Sequence, residues 1–189
     1  MNILGIDLAG SEKRPTGIAY LHNQNKIKTK ILYSNEEILS IARSFSEIFI
    51  DAPISLPHGR KSLEENNGIH FREFEIKIRK LGIKVLPSTL GPMRMLTKRA
   101  MYLKDLFEKQ NKKVYEVFPA GFYRIMNTPK KMEDIVKLYN DLGYQLEDKI
   151  YIQDEIDAIA CLITGIMFKQ NKAFLIEGID GSIVLPKNF

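Results

Sequence analysis

Residues 2–8 form an apolar run rich in Ile and Leu, which predicts a buried strand, with one carboxylate, Asp7, near its end. An unpaired buried charge is costly, so Asp7 calls for a cation, a set of hydrogen bonds or a metal beside it. A turn through Gly10 and a polar stretch over 12–16 lead to a second strand over 17–21, returning beside the first. Residues 26–33 alternate polar and apolar side chains and predict a third strand, on an edge. Ser34 with Glu37 three residues later makes a capping box, and Ile38, Leu39, Ile41, Ala42 and Phe45 supply the apolar face of the helix that follows. Residues 47–53 form a short apolar strand that again ends on an acid, Asp51, before Pro53 and Pro57 open a loop.

The middle of the chain carries weaker patterning. It predicts a helix around 69–81, a short extended piece over 83–86 and a second helix over 93–110 with apolar residues at 96, 100, 103, 106 and 107. A strand over 112–118 carries Glu116 and is closed by Pro119 and Gly121. A helix over 131–142 ends at Gly143, a strong helix covers 151–169, and 173–186 reads as a hairpin. An antiparallel meander followed by helix-linked strands implies an α/β fold, a central mixed sheet flanked by helices. The expected organisation is one domain over 1–189 with a helical insertion at about 58–110.

Composition narrows the class. A hydrophobic share of 44% and a charged share of 27% belong to an ordinary globular protein. No apolar run is long enough to span a bilayer and the N-terminus lacks a secretory signal pattern, so the expected location is cytoplasmic. The single cysteine, Cys161, excludes an intramolecular disulfide and falls in an apolar helix pattern, where a buried thiol is expected. A net charge of +5 permits a polyanionic partner without requiring one.

The segments GIDLAGSEKRPTGIA, IDAPISLP, LGPMRMLTKRA, YEVFPAGFYR, QDEIDAIACLITG and EGIDGSIVLP follow one another along nearly the whole chain. In this order and spacing they resemble the predicted-nuclease family catalogued as domain of unknown function 429, which is placed in the ribonuclease H-like superfamily beside the Holliday-junction resolvases. The resemblance implies a ribonuclease H-like fold with an acidic metal site. Its ligands are a carboxylate on the first strand, one at the end of the fourth, and one or two at the start of the last helix. Here those positions hold Asp7, Asp51, Asp154 and Asp157.

The chemistry of these residues agrees with that expectation. Mg²⁺ and Mn²⁺ take oxygen ligands and serve phosphodiester hydrolysis without a serine, cysteine or histidine nucleophile. The candidate catalytic residues are therefore Asp7, Asp51, Asp154, Asp157 and Glu116, the first four as metal ligands. Asp154 reads equally as a helix N-cap, and Glu116 as a partner for an Arg or Lys or as an exposed strand residue. Candidate phosphate contacts are Lys13, Arg14, Arg72, Arg94 and Arg99, each also readable as a solvated basic residue. The expected partner is nucleic acid, DNA or RNA, and a homodimer stays open. Two other functions compete. One is an actin-like phosphotransferase, because Asp7 to Ser11 resembles a phosphate-binding hairpin; such enzymes need a second domain and a second hairpin, for which the chain is short and Gly178 to Ser182 has a weak turn context. The other is a noncatalytic nucleic-acid-binding module on the same fold.

Overall fold

The computed structural model describes residues 2–128 and 131–187. Strand β1 (Ile3–Asp7) pairs antiparallel with β2 (Thr16–Leu21), and β2 with β3 (Ile27–Leu32). On its other side β1 pairs in parallel with β4 (Glu47–Asp51), and β4 with β5 (Lys113–Val117). Strand β7 (Gly181–Pro186) runs parallel to β5, and β6 (Ala173–Gly178) closes the far edge as the antiparallel partner of β7. The order across the sheet is β3-β2-β1-β4-β5-β7-β6. The α/β class, the antiparallel meander with β3 on an edge, and the closing hairpin all match the sequence pattern.

Strand alternation sends apolar side chains to both faces, so both need covering. On one face Leu4, Ile6, Ile18, Ile48 and Ile50 pack against α1 (Asn35–Ala42) and α3 (Gly91–Lys109). Beside them, α2 (Glu73–Lys80) buries Phe74 and Ile78 against Ile183 and Leu185. On the other face Ile3, Ala19, Phe49, Val117 and Val184 meet α4 (Pro119–Ile125), α5 (Met132–Asp141) and α6 (Gln153–Lys169). Among the described residues no helix is long and apolar enough to cross a membrane.

Local chemistry accounts for the departures from the sequence pattern. Pro119 starts α4 instead of ending order, because the first helical position has no use for the missing N–H. Residues 83–86 form no strand; Ile83 is buried in the small core under α2 while the backbone stays irregular. Within 58–110, Ala100, Leu103 and Phe107 of α3 pack with residues of β1 and β4.

Helix α6 lies close over β1 and β2 because two glycines admit it. A Cβ at Gly5 would overlap the carbonyl of Ala158, and one at Gly17 the carbonyl of Asp154. This contact brings the first turns of α6 down onto the ends of the strands that carry the acids.

Candidate functional site

Asp7 and Asp51 end two adjacent parallel strands and are direct partners in their register. Period-two alternation puts Asp7 on the face of Gly5 and Asp51 on the face of Phe49, and both of those contact α6. The two carboxylates therefore share the α6 side at the carboxyl ends of the parallel strands, where open α/β sheets bind their ligands. Burial pushes the pKa of Asp7 well above the usual carboxylate range, and the charges of Asp51, Asp157 and Asp154 push it further. Asp51 is raised in the same way, by burial first and then by Asp157 and Glu116. Cys161 is fully buried nearby, its thiol against the backbone of Asp51.

Asp157 enters the cluster from the second turn of α6, one helical turn below Asp154. Its Oδ1 accepts from the Tyr123 hydroxyl at 2.8 Å and from Gln153 Nε2 at 2.9 Å. The Tyr123 oxygen lies 2.9 Å from that of Tyr139, which donates to the Ile156 carbonyl at 2.9 Å. The Tyr123 ring is buried in the core. Its hydroxyl is what the sequence leaves unseen, since no spacing relates a residue of α4 to one of α6. Asp154 is not the cap: the helix starts at Gln153, so Asp154 sits within the first turn, partly buried and close enough to raise Asp7.

Glu116 faces the other way. It is the register partner of Ile50, and Tyr115 that of Phe49, so Glu116 lies on the sheet face opposite Asp7 and Asp51. There it accepts two bonds from Arg72, each 2.6 Å, and one from the Ile54 backbone N–H at 3.1 Å. Arg72 also donates to Glu75 at 2.6 Å and is 1% exposed. Burial opposes the guanidinium charge, but Glu116 and Glu75 outweigh it and hold Arg72 firmly protonated. Burial raises the pKa of Glu116, and the charge of Arg72 with the hydrogen bonds from Arg72 and Ile54 offsets this only in part.

The remaining basic residues divide. Arg99 is enclosed and holds three segments together, donating to the Ala9 carbonyl (2.8 Å), the Tyr33 carbonyl (2.7 Å) and Asn35 Oδ1 (2.8 Å). It pins the turn after Asp7 and, like Arg72, is committed inside the protein. Lys13 and Arg14 are exposed on the β1–β2 turn, and Arg94 is exposed near the start of α3. The Gly178–Ser182 turn is structural: Asp180 accepts from the backbone N–H of His58 at 3.0 Å and of Glu73 at 2.9 Å, tying the β6–β7 turn to the start of α2.

Two clefts meet at Asp51. One, of about 310 Å³, lies between α4, α5 and α6 and is lined by Asp51, Pro119, Tyr123, Gln153 and Asp157. The other, of about 340 Å³, opens toward the 84–96 segment. Among the described residues no three His, Cys, Asp or Glu side chains converge into a metal-binding group. Tyr123 and Gln153 hold the Asp157 carboxylate. The donor chemistry nevertheless fits a hard divalent cation: every candidate ligand is a carboxylate, and the raised pKa values of Asp7 and Asp51 mark a site short of positive charge. No family model, curated protein or solved structure matches the chain.

Proposed function

We propose that this protein is a divalent-metal-dependent nuclease on a ribonuclease H-like fold. The observation that carries the reading is the in-register pair Asp7 and Asp51, with Asp157 and Asp154 brought down beside it by α6. The meander followed by parallel strands, with acids on the first strand, at the end of the fourth and at the start of the last helix, agrees with the resemblance drawn from the sequence.

Asp7, Asp51 and Asp157 would hold Mg²⁺ or Mn²⁺, with Asp154 adjacent. When bound, the cation supplies electrostatic stabilisation of the charge that develops on a phosphodiester under attack. The chain's own residues do the rest. Tyr123 and Gln153 orient the Asp157 carboxylate, and the clefts on either side of Asp51 receive the substrate flanking the scissile bond. Lys13 and Arg14, on the exposed turn that follows Asp7, meet its phosphates.

Labelled single-stranded, duplex and branched DNA and RNA incubated with Mn²⁺ test this reading. Cleavage by wild type and its loss in Asp51→Asn support it. Hydrolysis of ATP with every nucleic acid left intact contradicts it.

A further inference from the structure

The 340 Å³ cleft beside Asp51 has a composition unlike that of the acid cluster. Its walls are Val85, Leu86, Met93, Leu96, Phe118 and Ile183, and Arg72, Glu75 and Glu116 lie at its base. We propose that this cleft receives one unstacked nucleobase next to the scissile phosphate, so that the substrate is single-stranded or locally flipped-out nucleic acid. The inference rests on the nuclease reading above and adds to it the class of substrate.

Two observations support a base as the occupant. The volume lies at the low end of the range for small-molecule clefts, about 300–1,000 Å³, which suits one heteroaromatic unit and excludes a stacked duplex. The walls are apolar, so a flat ring is favoured there over a charged phosphate, which would lose its hydration without a partner.

The rim suits the backbone of the same strand. Lys84 is exposed at the lip, where a phosphate passing outside would meet it. Lys84 and Phe118 continue into a broader depression with Arg124 and Asn127, which shares Ala120 and Tyr123 with the cleft of Asp157. The lip itself is apolar: Leu86 is 62% exposed, and Leu81 and Leu90 are exposed beside it in sequence. Bases inside a duplex are stacked and reach such a pocket only by extrusion, which an unpaired strand does not require.

The test measures binding of the full chain to short single strands, to the same strands made uniformly abasic, and to blunt duplex, with wild type and Leu86→Glu. The expected result is about tenfold weaker binding of the abasic strand and of the duplex by wild type. Leu86→Glu should weaken binding of the base-bearing strand severalfold more than that of the abasic strand, on which the added charge acts alone. Equal affinity for base-bearing and abasic strands overturns the inference, as does duplex binding equal to single strand; both are read on wild type alone. Cleavage with Mn²⁺ separates the two claims. Cleavage without base dependence overturns the pocket and leaves the nuclease reading standing. Base-dependent binding without cleavage does the reverse, and binding of no nucleic acid overturns both.

Discussion

Asp7 and Asp51 stand opposite each other in the register of two parallel strands, on the face that α6 covers. Neighbouring strands lie about 4.8 Å apart, so the pairing alone brings two acids together at the end of the sheet without a long-range loop. Gly5 and Gly17 then let α6 carry Asp154 and Asp157 to the same place. Packing of this kind is unfavourable for the acids themselves.

That cost makes stability depend on pH in a defined direction. Asp7 and Asp51 have folded pKa values raised above their unfolded ones, by burial first and by neighbouring acids second. Their protonated forms therefore favour the fold below the unfolded value of about 3.9, and the benefit is lost as pH rises through the raised folded values. At pH 8 without metal, Asp51→Asn should melt a few degrees higher than wild type, equivalent to roughly 1–2 kcal/mol. The two melting curves should converge in acid. A variant that melts lower than wild type at pH 8 contradicts the electrostatic picture.

Tyr123→Phe removes the hydroxyl that donates to Asp157 at 2.8 Å and keeps the ring in its core. Cleavage should fall by about tenfold or more, with a change in its Mn²⁺ dependence, while stability drops by only about 1 kcal/mol. Wild-type kinetics in this variant would show that Asp157 needs no orientation by Tyr123.

Arg72 and Glu116 form a buried ion pair of the framework. Breaking one partner of such a pair costs about 3–5 kcal/mol, so Arg72→Met and Glu116→Gln should each lower the melting temperature by roughly 10 °C. In a double-mutant cycle the losses should be strongly non-additive. Full stability in either single variant would contradict the structural role.

Gly17→Ala places a methyl group against the Asp154 carbonyl. Helix α6 must move away, so stability should fall by about 1–3 kcal/mol and cleavage should fall with it. Unfolding in urea together with an activity assay checks both. Intact activity in the Gly17→Ala variant would show that close packing of α6 is not what assembles the acids.

The acids were readable in the sequence because each ends a short apolar strand or opens a strongly apolar helix, at Asp7, Asp51 and Asp157. The capping box at Ser34 and Glu37 was readable for the same reason: its partners are local. Glu116 was not assignable, since alternation gives its face relative to Tyr115 but only the β4–β5 register relates that face to Asp51. Arg72 and Arg99 resemble surface cations in sequence, and their partners lie 44 and up to 90 residues away. The Tyr123–Asp157 bond joins two helices 34 residues apart, a contact that exists only once both have packed on the sheet.

In the proposed function Asp7 belongs to a metal site that cleaves phosphodiesters. The most direct measurement compares wild type with Asp7→Asn on labelled single-stranded DNA and RNA, with and without millimolar Mn²⁺. Cleavage that requires Mn²⁺ in wild type and falls by at least about a hundredfold in Asp7→Asn is the predicted result. Equal cleavage by the two proteins, or cleavage undiminished in a chelator, would contradict a metal-holding role for Asp7.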